Sequence, residues 1–321
     1  MQLFQTKVYG GWLQDQNALF ASSSGGAFTA LSDVFLQQGD VIVCSTYNYK
    51  THDQEYRIIT TVPERNNARG SKYVQAVPGD IFTEAETWLR SNPGHNLLFF
   101  GMGCQASGFR AFAEVRGFLD RVTIVDIICH GSPSPKVWHE YVNLLEEKHG
   151  KISSLSFKDK RIGWMSPIAV AQMQDQEVSL RAYQKVFYSS NELRPSCHKC
   201  PYARIERTSD ITIGDFWNIK ERIPDHYNEK GVSLFIVHTV KGEKLFDHAK
   251  KLLNWFESNV TDCLQYNLEK PTPAAATRET FWQEYYTYGI GYIVKKYGTD
   301  SYIERIKRKV KNTIAPKKQI Y

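Results

Sequence analysis

Apolar and polar positions along the chain follow two periods, and the switches between them mark the elements. Residues 22–39 (SSSGGAFTALSDVFLQQG) predict a helix. Phe28, Leu31 and Phe35 fall near helical spacing, serines stand at the start, and Gly39 follows the end. VIVCSTY (41–47) and YRIITTV (56–62) predict strands. Residues 97–129 hold an apolar LLFFG, a turn GMGCQ, a helical QASGFRAFAEV and a second apolar run VTIVDIIC. That is a strand–helix–strand unit, which implies parallel pairing. A helix over 135–149 follows, then strands at LSFKDKRIGW, IAVAQMQ, ITIGDFW and VSLFIVHT, and a helix over 243–256. PTPAAAT (271–277) has the composition of a linker. The pattern predicts an α/β or α+β fold, a mixed sheet with flanking helices. It divides into a catalytic domain over 1–265 and a C-terminal helical extension with a basic tail over 266–321.

Composition narrows the setting. Hydrophobic residues make up 42% of the 321, enough for a sizeable core and against global disorder. The formal charge of +6 suits an anionic partner such as a nucleotide, a phosphorylated sugar or a membrane surface, and does not single out nucleic acid. The opening MQLFQTKVYGGW lacks the pattern of a signal peptide. No apolar run approaches the roughly 18 residues of a membrane span. A cytoplasmic protein is expected.

In that compartment the six cysteines are not expected to form disulfides. Cys44, inside VIVCSTY, and Cys263, near a polar turn, fit core positions. Cys104 follows the first buried strand and Cys129 ends the second. Parallel neighbours place their carboxyl ends on one edge of a sheet, where ligand sites gather. Cys197 and Cys200 form a C-x-x-C pair in RPSCHKCPY, followed by Pro201. Four thiolates at such positions fit either a Zn²⁺ ion or a 4Fe–4S cluster, and spacing leaves the two tied.

Three loops carry small or basic residues suited to a phosphate or a ring. SSSGG (22–26) precedes a helix, whose N-terminal amides favour anions. RGSKY (69–73) sets Arg69 and Lys72 around Gly-Ser, an arrangement that can grip a diphosphate. GMGCQ (101–105) has two glycines at a strand end but is not the G-x-G-x-x-G fingerprint. His130, in CHGSPSP, is a candidate for proton transfer or a hydrogen bond to a flavin. Lys158, Lys160, Arg161 and Asp215, from FKDKRIGW and GDFW, are candidates to meet an anionic or hydroxylated substrate. Trp164 and Trp217 in the same motifs have ordinary core positions as their commoner fate.

Taken in order, SSSGGAF, RGSKY, GMGCQ, CHGSPSP, FKDKRIGW and RPSCHKCPYA…SDITIGDFW resemble the beta-subunit family of coenzyme F420 hydrogenases and dehydrogenases. The likeness runs over roughly residues 20–240 and is nearer to a bacterial branch associated with polysaccharide biosynthesis. It implies FAD and a 4Fe–4S cluster held by Cys104, Cys129, Cys197 and Cys200. It implies flavin contacts at Ser24, Gly25, Gly26, Ser71, Lys72 and Tyr73, beside the strand-end residues Gly101, Gly103 and Gln105. Relatives often open with a ferredoxin-like C-x-x-C-x-x-C-x-x-x-C-P segment, whereas this sequence has no cysteine before Cys44. Outside electrons are then expected directly or through a ferredoxin-like partner.

The expected function is a flavin and iron–sulfur oxidoreductase acting on a sugar or lipid-linked glycan, with His130, Lys158 and Asp215 as acid–base candidates. A redox-neutral epimerisation is one form of it. The alternatives are a deazaflavin-dependent reductase or electron-transfer subunit, and a zinc-stabilised assembly protein without catalysis. The tail over 301–318 places Ile303, Ile306, Val310 and Ile314 at helical spacing among lysines and arginines. Such a helix fits peripheral contact with an anionic membrane surface, or packs with a solvated basic face.

Overall fold

The computed structural model describes residues 5–299 apart from Asp175. Its strands in chain order are β1 (Lys7–Leu13), β2 (Val41–Tyr47), β3 (Gln54–Ile59), β4 (Ala76–Val77), β5 (Leu97–Met102) and β6 (Val122–Ile127). They continue as β7 (Ile152–Asp159), β8 (Ile168–Met173), β9 (Gln176–Ser179), β10 (Ile211–Asp215), β11 (Ser233–Val237) and β12 (Leu253–Ser258). Nine of them form one sheet in the order β12-β1-β11-β10-β6-β5-β2-β3-β4, and β7-β8-β9 form a second. The centre, β2, β5, β6 and β10, is parallel. Antiparallel strands extend it on both sides. This is the mixed sheet with flanking helices that the hydrophobic pattern predicts, and the parallel β5–helix–β6 unit lies at its middle.

The apolar runs of the central strands are buried on both faces because helices cover both. Ile42, Leu98, Phe100, Val125 and Ile211 pack with Leu31 and Phe35 of helix Ala27–Gln37 and with Phe246 of helix Val240–Ala249. Their neighbours Val41, Val43, Leu97, Phe99 and Ile124 point the other way, onto Ala85 and Leu89 of helix Ile81–Ser91 and Phe109 of helix Gly103–Val115. The period of two along each strand thus feeds two separate cores.

A third core joins the small sheet to helices Pro135–His149, Arg181–Tyr188 and Arg278–Tyr297 through Trp138, Tyr183, Phe157, Phe281 and Tyr285. Residues 271–277 have no regular structure, as their composition predicts, yet Thr272 is buried. The tail over 301–318 lies outside the described residues. No helix among the described residues is long and apolar enough to cross a membrane.

Two local expectations change. The serines of SSSGG do not cap the following helix: Gly26 is the N-cap, with φ of 92°. The predicted helix over 243–256 ends at Ala249, and Leu253–Ser258 instead form the edge strand β12.

Candidate functional site

The carboxyl ends of β2, β5, β6 and β10 share one edge of the sheet, and a cleft of about 980 Å³ opens there. This is the edge at which open α/β sheets place ligands. Chain reversals just beyond these strand ends bring the sequence motifs together. The cleft is lined by Ser24, Gly26, Ser71, Lys72, Tyr73, Gly101, Gln105, Cys129, His130, Lys158 and Asp215.

Gly25 and Gly103 do not line it, and serve packing instead. A side chain at Gly25 would collide with the backbone of Gly11 and Ser233. A Cβ at Gly103 would lie 2.9 Å from Tyr202 Cβ and 3.2 Å from Arg207 Nη1.

The four cysteines converge from three segments. Cys104 is in the first turn of helix Gly103–Val115, Cys129 follows β6, and Cys197 lies in the short 3-10 turn Pro195–Lys199 that Cys200 closes. The CHG and C-x-x-C loops are tied to each other. The Arg194 amide donates to Ser132 O (2.9 Å), and the Ser132 amide donates to Cys197 Sγ (3.3 Å). Gly131, with φ of 148°, admits Leu193 where a Cβ would meet Leu193 Cδ1 at 2.7 Å.

Burial, and then the neighbouring Cys197, push the Cys129 thiol up to about 12. Burial and then Cys200 and Cys197 raise Cys104. The four thiols therefore share one electrostatic environment. Among the described residues no three His, Cys, Asp or Glu side chains are drawn tightly enough to hold a single metal ion. Only Cys129 of the four lines the cleft, so the thiol cluster sits against its wall. Cys44 and Cys263 are buried core residues whose thiols burial raises to about 12.

On the opposite wall the serine loop and RGSKY are stitched together. Ser71 donates its amide to Ser23 Oγ at 2.6 Å, and Ser24 Oγ donates to Val232 O at 2.8 Å. Lys160 reaches beneath the loop and donates to Leu19 O, Ser24 O and Lys230 O at 2.6–2.9 Å. Lys72 gives its donors to Ala68, Arg69 and Gly70 carbonyls at the end of a helix, and Arg69 Nε donates to Thr29 Oγ1 at 3.1 Å. Burial brings the Lys72 and Lys160 ammonium groups down to about 8.

Tyr73 stacks on Phe187 at 4.7 Å and accepts from Tyr188 Oη at 2.9 Å. Gln105 spends its amide on structure: it accepts from Tyr56 Oη (2.7 Å) and donates to Ala76 O (2.9 Å).

Lys158 and Asp215 meet as an ion pair at the cleft wall. Trp164 Nε1 donates to the other Asp215 oxygen at 2.8 Å, and the Lys158 ammonium stands 4.7 Å from the Trp217 ring centroid. The two indoles stack at 5.5 Å. Trp164 is a core residue, as its type suggests, but it also orients Asp215. Arg161, by contrast, points away from the cleft and pairs with Asp159 and Glu177.

His130 Nε2 lies 3.1 Å from Ser190 Oγ, and Thr272 donates to His130 O at 2.6 Å. Burial and then His198 lower the His130 imidazole, which keeps it neutral. Phe187, Tyr188 and Gln265–Asn267 also line the cleft. Sequence reasoning missed them, since KVFYSSN carries only an aromatic pair at a helix end.

Two family models match, both described as coenzyme F420 hydrogenase/dehydrogenase, beta subunit. The model of the N-terminal part matches residues 8–80, and the model of the C-terminal part matches residues 94–257. No curated protein sequence matches the chain. Among solved structures, a chain of the F420-reducing NiFe hydrogenase complex from Methanosarcina barkeri is similar with a TM-score of 0.53. The two share 16% identity over 98% of this chain and 95% of that one, a likeness of fold. Both halves of one family description match in order and together cover most of the sequence. The chain therefore belongs to the coenzyme F420 hydrogenase/dehydrogenase beta-subunit family, a family of redox subunits.

Proposed function

We propose that the chain is a flavin- and 4Fe–4S-dependent oxidoreductase, in the polysaccharide branch of its family, acting on a sugar or lipid-linked glycan. The observation that carries the redox part is the meeting of Cys104, Cys129, Cys197 and Cys200 against the wall of one large cleft. Four thiols that feel one another can hold a metal centre, and membership of a redox family favours an iron–sulfur cluster over zinc. The cleft has room for an extended ligand such as FAD between the serine loop, RGSKY and the β5 end. A bound flavin supplies hydride chemistry and a cluster supplies one-electron transfer.

The residues of the chain supply binding and proton handling. Trp217 beside the Lys158–Asp215 pair offers an aromatic surface with charged hydrogen-bonding groups, a combination that holds a hydroxylated ring. When a carbinol gives up a hydride, the Asp215 carboxylate takes the hydroxyl proton and the Lys158 ammonium stabilises the oxygen. Neutral His130 serves as a hydrogen-bond partner on the cysteine side of the cleft. Return of hydride to the opposite face would epimerise that carbon without net redox change.

Anaerobic purification with a visible spectrum and quantified iron, sulfide and flavin tests the cofactors. A colourless protein with one zinc and no flavin refutes them. Anaerobic turnover with candidate glycans tests the substrate, and absence of any flavin spectral change with sugars counts against it.

The family match favours a second reading, a deazaflavin-dependent reductase or electron-transfer subunit. Bleaching of bound flavin by reduced coenzyme F420 in a cuvette supports that reading over the first. A ferredoxin-like donor and peripheral contact of the basic tail with the inner membrane face complete the proposal. Loss of binding to anionic vesicles on deleting residues 301–321 supports the membrane contact, and unchanged binding removes it.

A further inference from the structure

Behind the thiols lies a buried guanidinium that the redox chemistry above does not use. The Arg207 and Asp126 side chains are each 2% exposed, with Nη1 3.1 Å from Oδ2. Arg207 also donates to Arg204 O (3.0 Å), Ile127 O (3.4 Å) and Asn267 O (3.4 Å). Asp126 and Ile127 end the strand that leads into Cys129. Arg204 and Arg207 themselves continue the segment that holds Cys197 and Cys200.

Gly103, next to Cys104, packs directly on the pair: a Cβ there would stand 3.2 Å from both Arg207 Nη1 and Asp126 Oδ2. One side chain thus touches all three cysteine-bearing segments. Burying two ions is costly, and well-packed apolar residues often replace such a pair without loss of stability. The guanidinium adds two things an apolar residue lacks: donors fixed in a plane, and a positive charge set among the cysteine-bearing segments.

We propose that Arg207 is a positioning residue for the four-cysteine centre. Paired with Asp126, it fixes the Cys104, Cys129 and Cys197–Cys200 segments relative to one another and sets the electrostatic field they feel. The inference rests on the iron–sulfur reading above.

The test uses the full chain, loaded anaerobically with iron and sulfide, as wild type, R207M, R207K and D126N. Iron retention against a chelator, reduction potential and melting temperature are measured. R207M should retain iron roughly 10-fold less tightly, and the centre that remains should shift to a more negative potential. D126N leaves the positive charge unbalanced and should shift the potential the opposite way. R207K keeps the charge and should restore the potential toward wild type. Unchanged retention and potential in a loaded R207M, with only the melting temperature lowered, would make the pair purely structural and overturn the proposal. A wild type that takes up no iron or sulfide removes the cluster reading and this one together. A loaded wild type with unaltered variants removes this one alone.

Discussion

Glu192 is a deeply buried carboxyl. It is 1% exposed, and burial pushes its carboxyl up to about 8 against the opposing pull of the Ser134 amide. In the unfolded chain the same group ionises near 4.5. Between those values the unfolded state binds fewer protons than the folded one, so stability falls as pH rises through that window. Below 4.5 both states are protonated and the penalty vanishes. E192Q should flatten the pH dependence of stability and add on the order of 3 kcal/mol at pH 8. Urea unfolding of both proteins at several pH values between 5 and 8 reads this, and parallel curves would refute it.

The Lys158–Asp215 pair carries a different cost. Lys158 is nearly fully buried, so D215N leaves an uncompensated ammonium at a cost of roughly 3 kcal/mol. The asparagine amide oxygen can still accept from Trp164, so the cleft wall should keep its shape while losing the proton acceptor. Turnover should fall about 10²–10⁴-fold with ligand binding little changed. A D215N protein with full turnover would take Asp215 out of the chemistry.

Among the elements, the turn between β5 and helix Gly103–Val115 is closely packed at Gly103. Tyr202, Arg207 and Asp126 close over Gly103. G103A should cost about 1–3 kcal/mol through overpacking. It should also lower iron uptake, because the displaced segment carries Cys197 and Cys200. G291A is the matching control: open space surrounds Gly291 in helix Arg278–Tyr297. That change should be neutral or stabilise by roughly 0.5–1 kcal/mol. Equal melting temperatures and iron contents for the two variants would show the Gly103 packing to be loose.

The central elements were legible because each carries its own signal. LLFFG and VTIVDI are mostly apolar on both faces, and strands covered on both faces bury such runs. At the margin the signal is shared between distant segments. KVYGGWL has two glycines that weaken it as a strand, and LNWFES continues an amphipathic helix pattern. Each makes sense only with the other: Gly10 pairs with Phe256 across β1 and β12, and the Phe256 ring lies over the glycine. An aromatic covering a strand glycine is a cross-strand device that no local window contains. The cleft shows the same division. Cysteines and glycine loops announce themselves by type, whereas Phe187, Tyr188 and Gln265 reach it only through the packing of helices and turns.

For the whole molecule, the deciding feature is how the region after residue 265 joins the rest. Cys263 and Leu268 share a core with Trp164, Phe216 and Leu234 beneath the cleft. Thr272 holds the His130 carbonyl, and Arg278 Nη1 donates to Asn191 O at 2.5 Å in the loop leading to Cys197. Helix Arg278–Tyr297 then places Phe281, Tyr285 and Ile293 against Trp138, Tyr141 and Tyr183. At about 1.5–3 kcal/mol for each fully buried side chain, these three alone match much of a domain's net stability of roughly 5–15 kcal/mol. A chain ending at residue 277 should therefore lose cooperative unfolding of the small sheet. Its loosened loops should also leave Cys129 and Cys197 open to alkylation. A chain ending at residue 299 keeps every one of these contacts, and should keep the cooperative transition and the thiol protection. Comparing the two truncations by urea melts and by alkylation rates under reducing conditions measures both effects. If the 1–277 chain unfolds cooperatively with protected thiols, the terminal helix contributes little to the site.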